Sequence, residues 1–146
     1  MASITSSSSR LTVGTSGPVT TVAPDIAREL NAMVILLADL DEHIQLLNEG
    51  LSEAGIEYDQ DVIHAGAAET AMILAIDEGL VRMEDMESGP EGDISTARLL
   101  SEGFKTITEN GVLGDPTKAT TDAGEVIIQN VVETYVQHIK TERDAV

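Results

Sequence analysis

The sequence contains no cysteine and no tryptophan, and its 146 residues include only three aromatics, Tyr58, Phe104 and Tyr135. Without cysteine there is no disulfide scaffold, no thiolate-ligated zinc or iron–sulfur centre and no thiol nucleophile. Positive charge is scarce as well: 8 Lys and Arg stand against 26 Asp and Glu, a formal net charge of −18. Such a surface repels phosphate backbones, so nucleic acid is excluded as an expected partner. No apolar run approaches the roughly 18 residues that a membrane span needs, and the longest, residues 32–38, has only the length of a strand. No membrane partner is expected. The first residues offer neither a basic start nor an apolar stretch, so they do not read as a secretory signal, and the expected location is the cytoplasm.

Hydrophobic residues make up 42% of the chain, slightly under the usual share of about 45–50%. With so few rings, the core has to be built from Val, Ile, Leu, Met and Ala. The apolar residues are clustered and periodic, unlike those of a disordered acidic tail. The acids are spread along the chain rather than gathered in one tail. At molar salt the Debye length falls to about 3 Å and screens their repulsion. This composition therefore points to a halophilic source, with an ordinary acidic protein as the alternative. Residues 1–10 carry a serine run and read as a disordered Ser-rich leader; residues 11–146 read as one domain.

Helical spacing begins at Val19. Val19, Val22, Ala23, Ile26, Ala27 and Leu30 form one stripe, with Pro24 expected in the first turn and Asn31 as the stop. Residues 33–38 (MVILLA) then predict a strand covered on both faces. Asp41 and Glu42 start a second helix with Ile44, Leu47, Leu51 and Ala54 inward and Gly55 just past its end. A short strand is expected at residues 58–64. A helix follows at 67–78 with Met72, Ile73 and Ile76 inward. Residues 88–92 (SGPEG) read as a loop, 94–100 as a short helix and 104–108 as a short strand. Asn110-Gly111 and Gly114-Asp115-Pro116 mark turns. A long helix closes the chain at 119–140, with Ile128, Val131, Val132, Tyr135 and Ile139 as its stripe. Alternating helices and strands indicate an α/β fold with a layered sheet.

Three histidines are candidates for chemistry. His43, at a helix start, reads as a surface residue, and His138, near a helix C-terminus, as a structural one. His64 differs, because it stands where an apolar strand ends and a Gly-containing turn opens a helix. Ligand crevices form at such strand ends. On one continuous helix His64 and Glu69 would diverge by about 140°. With His64 on the strand end and Glu69 in the first helical turn, both can face one point across Gly66. A carboxylate there stays ionised, and a histidine near neutrality can ligate or act as acid and base. The alternative is a surface histidine beside a helix-capping glutamate.

The segment Asp61-Val62-Ile63-His64-Ala65-Gly66-Ala67-Ala68-Glu69-Thr70-Ala71-Met72-Ile73-Leu74 closely resembles the His-Ala-Gly-x-x-Glu-Thr-Ser-x-Met-Leu signature of the creatininase family. Asp77-Glu78-Gly79-Leu80-Val81-Arg82-Met83 looks like its continuation. Gly111-Val112-Leu113-Gly114-Asp115-Pro116-Thr117-Lys118-Ala119-Thr120, followed by a long helix, is similar to the family's C-terminal segment. The resemblance implies a layered α/β/α fold, here shortened on its N-terminal side. It also implies metal-dependent hydrolysis of a non-peptide or cyclic amide C–N bond in a small molecule. Glu69 would then correspond to a metal-ligand carboxylate, and His64 to the acid/base that works on the tetrahedral intermediate. The cofactor would be a divalent metal, zinc or manganese, that polarises the carbonyl and activates water. Thr70 and Asp115 match family positions as structural supports. Since many members are hexamers, a homo-oligomer is expected.

The departures from the family pattern are specific. The chain has no Glu-x-His, and Thr15 and Ser16 stand where the family's central loop carries a histidine; neither is a good ligand for zinc or manganese. Ala67 and Ala71 replace a frequent Glu and the signature Ser. The expectation is therefore an amidohydrolase that is incomplete in this chain. The alternative is a non-catalytic truncated member, or a subunit that needs a partner chain. A third reading is an acidic, salt-adapted interaction module.

Overall fold

The structure, a computed structural model, describes residues 16–37, 39–57, 64–92 and 94–145. The expected leader, the front of the loop at 13–19 and all but the last residue of the strand expected at 58–64 lie outside them. The chain divides into two compact units, residues 1–40 with 137–146, and residues 41–136.

In the first unit, helix α1 spans Ser16–Leu30 and begins earlier than its stripe suggests, so Pro24 falls mid-helix rather than in the first turn. Only Ala23 of the stripe is buried, while Val19, Val22, Ile26 and Leu30 are exposed. Asn31 ends the helix with a positive φ of 45°. Residues 33–37 are not a strand. They carry no regular secondary structure, and Met33 and Val34 are exposed. An apolar run becomes a strand only where a neighbour takes up its backbone hydrogen bonds, and among the described residues no segment pairs with this one.

The second unit is built on three helices, α2 (Leu40–Glu53), α3 (Ala67–Ile76) and α6 (Thr121–Asp144), the last of which runs on beyond the unit. Gly55, with φ 80°, ends α2 as expected: the Ile56 amide reaches back to the Leu51 carbonyl at 2.9 Å. The core joins Leu47 and Leu51 to Ala67, Ala68, Ala71 and Leu74, and to Ala119, Ala123 and Ile127. The inward face of α3 is thus its alanines. Ile73 and Ile76, expected inside, are exposed, and Met72 is half-buried. The reason is close approach. A Cβ on Gly124 of α6 would lie 1.9 Å from the Ala71 carbonyl oxygen, and one on Gly50 of α2 would lie 2.5 Å from Ile127 Cγ1. Helices this near leave room only for small side chains between them.

Between α3 and α6 the chain makes two short α-helices besides three single 3-10 turns. Helix α4 (Thr96–Glu102) is capped by Ser95 Oγ, which accepts from the Arg98 amide at 3.2 Å. Helix α5 (Phe104–Ile107) stands where a strand was expected. Gly103, at φ 78°, restarts the chain after α4, and the Thr108 amide closes a helical turn onto the Phe104 carbonyl at 2.9 Å. Phe104 and Ile107, three apart, then share one face and pack on Ile94, Leu99 and Leu113.

The described residues are mostly helical, and no layered sheet is seen among them. Their extended pairing centres on residues 110–115. Leu113 donates its amide to the His64 carbonyl at 2.9 Å in an isolated antiparallel bridge. On the other side Gly114 pairs with Gly89 and Pro90 at 2.8 and 3.0 Å. Asp115 pins the end of this strip. Its Oδ1 accepts from the Thr117 hydroxyl at 2.6 Å, the Thr117 amide at 2.9 Å and the Ser88 hydroxyl at 2.9 Å. The Thr117 hydroxyl bond is the chief reason that the Asp115 carboxyl is held below the usual carboxylate range, and it outweighs the opposing effect of burial.

Candidate functional site

The two residues singled out by their spacing, His64 and Glu69, flank a single turn. Ala65 takes a left-handed φ of 53°, and Gly66 caps α3 with extended backbone. This geometry swings the chain from the bridge at His64 into the helix. The His64 ring lies half-buried against Phe104, with centroids 4.6 Å apart and planes tilted by 57°. Its Nδ1 is 2.8 Å from the carbonyl oxygen of Gly111. A carbonyl only accepts, so Nδ1 carries the proton. In the neutral ring this leaves the lone pair on Nε2.

Glu69 lies in the first turn of α3, and its Oε2 accepts from the Ala65 amide. This bond satisfies a donor just ahead of the helix start. The turn therefore holds both side chains but gives them different partners. Among the described residues no hydrogen bond or ion pair joins the imidazole to the carboxylate.

A third residue belongs to the same neighbourhood. His43 on α2 is half-buried, and its Nδ1 is 2.9 Å from the Tyr135 hydroxyl on α6, with the rings stacked at 6.4 Å and 22°. Burial pushes its imidazole below the usual histidine range, and the Glu69 carboxylate pulls it part of the way back. His43 is thus not the surface residue its position after Asp41-Glu42 suggests. The signal was present in the spacing. Positions 43, 46, 47, 50 and 51 form one helical stripe, and Leu46, Leu47, Gly50 and Leu51 are the buried residues of α2.

The family model of creatinine amidohydrolases, Creatininase, matches residues 13–139. The chain belongs to the creatininase family. Among curated relatives, the mycofactocin precursor peptide peptidase of Mycolicibacterium smegmatis is 34% identical over 79 residues, 53% of this chain and 32% of that protein. Its namesake from Mycobacterium tuberculosis is 32% identical over 78 residues, 52% of this chain and 31% of that protein. The matched part thus spans about a third of the length of these relatives. No solved structure matches the chain significantly. Membership makes the chain one of a hydrolase family of α/β class that is generally metal-dependent.

The described residues of this creatininase-family chain do not make a metal cage. Among them no three of His, Asp and Glu come together in a way that could hold a metal ion. A structural site takes four protein donors and a catalytic zinc site three, whereas His64 and Glu69 are two, turned to different partners. No helix among the described residues is long and apolar enough to cross a membrane.

Proposed function

We propose that this chain is an amide-hydrolysing member of the creatininase family, in which His64 moves the proton and Glu69 supplies a carboxylate at the mouth of a layered α/β/α fold. The observation that carries this reading is the bond from His64 Nδ1 to the Gly111 carbonyl, which leaves Nε2 as a base. Nε2 would take a proton from the attacking water and return it to the departing amine nitrogen. The family match over residues 13–139 supports the reaction class. The substrate would be a small non-peptide or cyclic amide. The peptidase name of the relatives adds the peptide C–N bond to the candidates.

The cation to test is zinc or manganese. Since the described donors do not complete a site for it, a chain that binds it would draw on groups beyond them, including groups from a second chain in a homo-oligomer. The second reading is a non-catalytic subunit that needs a partner chain, and it is favoured by the different partners of His64 and Glu69.

The test is hydrolysis of a small acyclic amide, a cyclic amide and a short peptide by the purified chain, alone and with added Zn²⁺ or Mn²⁺. Turnover of one of them, lowered about 10²–10⁴-fold in His64→Gln, is the expected result. Stoichiometric metal in the wild type that is lost in Glu69→Ala would establish the ligand role. Turnover indifferent to His64→Gln would remove His64 from the mechanism. No turnover under any condition would leave the non-catalytic subunit.

A further inference from the structure

The bond between His64 and Gly111 depends on how one peptide group is turned, and two side chains hold that group. Asn110 Oδ1 accepts from the Val112 amide at 3.0 Å. That amide shares a peptide plane with the Gly111 carbonyl. In a trans peptide the N–H and C=O point in opposite directions. Fixing the Val112 N–H on one side therefore aims the Gly111 oxygen at the other, where His64 Nδ1 lies 2.8 Å away. The preceding peptide is held too, since the Gly111 amide donates to Thr108 Oγ1 at 3.2 Å, and that hydroxyl donates to Asn110 Oδ1 at 3.0 Å. Asn110 Nδ2 closes the network on the Ser88 carbonyl at 3.2 Å. Thr108 is buried, at 5% exposure, and Gly111 sits at φ 85°, a conformation that few other residues adopt at low cost.

We infer that Thr108 and Asn110 are positioning residues for His64: by turning the Gly111 carbonyl toward Nδ1 they fix the ring in the Nδ1–H tautomer and present Nε2 as the free base. A histidine in water favours the other tautomer, so the Gly111 oxygen has to select this one. Neither side chain is hydrogen-bonded to the ring, and both act through the Gly111 peptide. The network is anchored on the buried Thr108 and reaches the surface at Asn110, and each of these two members is separately testable. The inference deepens the proposed acid/base role of His64 and rests on that reading for its functional meaning.

The test is long-range ¹H–¹⁵N NMR of the full chain labelled at histidine nitrogens, at a pH where the rings are neutral. Wild-type His64 is expected to show a pyridine-type Nε2 and a protonated Nδ1. In Asn110→Ala and in Thr108→Val the pyridine-type signal should move toward Nδ1. Asn110→Asp, which keeps the acceptor oxygen for Val112, and Thr108→Ser, which keeps the hydroxyl, should restore the wild-type pattern. Unmoved His43 and His138 signals show in each case that the fold is intact. If Asn110→Ala does not fold, Thr108→Val carries the test, since valine preserves the buried volume. A wild-type His64 protonated at Nε2, or a folded Thr108→Val with an unchanged tautomer, overturns the inference. Amide hydrolysis separates it from the proposed function. A locked tautomer without turnover refutes the hydrolase reading alone. Turnover that needs His64, with an unlocked ring, refutes the positioning device alone.

Discussion

The Tyr135 hydroxyl lies 2.9 Å from Nδ1 of His43, so a bond between residues 92 positions apart ties the start of α2 to α6. Burial lowers the His43 pKa below its ordinary value of 6.5. As pH falls through 6.5, the unfolded chain takes up a proton at this position before the folded chain does. Stability therefore rises with pH across the window below 6.5 and is fully present above it. The urea midpoint should fall between pH 7.5 and pH 5. In His43→Gln, part of this slope should vanish while the remaining acid sensitivity stays. An identical slope in the variant would show that His43 takes up its proton over the same pH range folded and unfolded.

Gly124 gives the sharpest packing test. A methyl group there would meet the Ala71 carbonyl at 1.9 Å and the Ala75 Cβ at 2.8 Å. Alanine ordinarily favours a helix over glycine by about 1 kcal/mol, but here overpacking should outweigh that gain. Gly124→Ala should lose about 1–3 kcal/mol in equilibrium urea unfolding. An equal or higher midpoint would mean that α3 and α6 are further apart than described.

Glu69 should matter to stability whether or not it meets a ligand. Glu69→Ala removes the acceptor of the Ala65 amide and a negative charge from the first turn of α3. A loss of about 1 kcal/mol is expected. Glu69→Gln should lose less, since its amide oxygen still accepts. Chemical denaturation of the three proteins side by side checks the order.

Salt and assembly form one measurement. The net charge is −18, and most of the ion pairs described are exposed, such as Lys118 with Glu91 at 3.4 Å, so they contribute little. The melting temperature should climb as KCl is raised from dilute buffer to molar concentration, because screening relieves the repulsion among the acids. At high salt the chain should sediment as a homo-oligomer, since Val19, Val22, Ile26 and Leu30 line α1 with exposed apolar surface. Ile26→Glu together with Leu30→Glu should reduce the assembly. A wild-type monomer, equally stable without salt, would count against both expectations.

The long helices could be read from the sequence because each carries its own signals: a stripe in α1, Asp41-Glu42 and Gly55 around α2, and a long periodic run in α6. Which face turned inward was harder to read. In α3 the bulky Ile73 and Ile76 outweigh the alanines in any hydropathy pattern, yet closeness to Gly124 puts the alanines inside. The apolar run at 33–38 and residues 104–108 read as strands, because composition does not say whether a pairing partner exists. In the candidate site, His64 and Glu69 stand out by local spacing. The partners that set the behaviour of His64, Phe104 and the Gly111 carbonyl, come from up to 47 positions away and leave no mark in the motif.

The bond from the Ala65 amide to Glu69 makes this carboxylate half of a latch. A guest that drew this carboxylate away from the turn would release the Ala65 N–H, which would then trade its hydrogen for solvent deuterium more readily. Isotope uptake at this one amide would thus report occupancy without a substrate, a product or a chromophore.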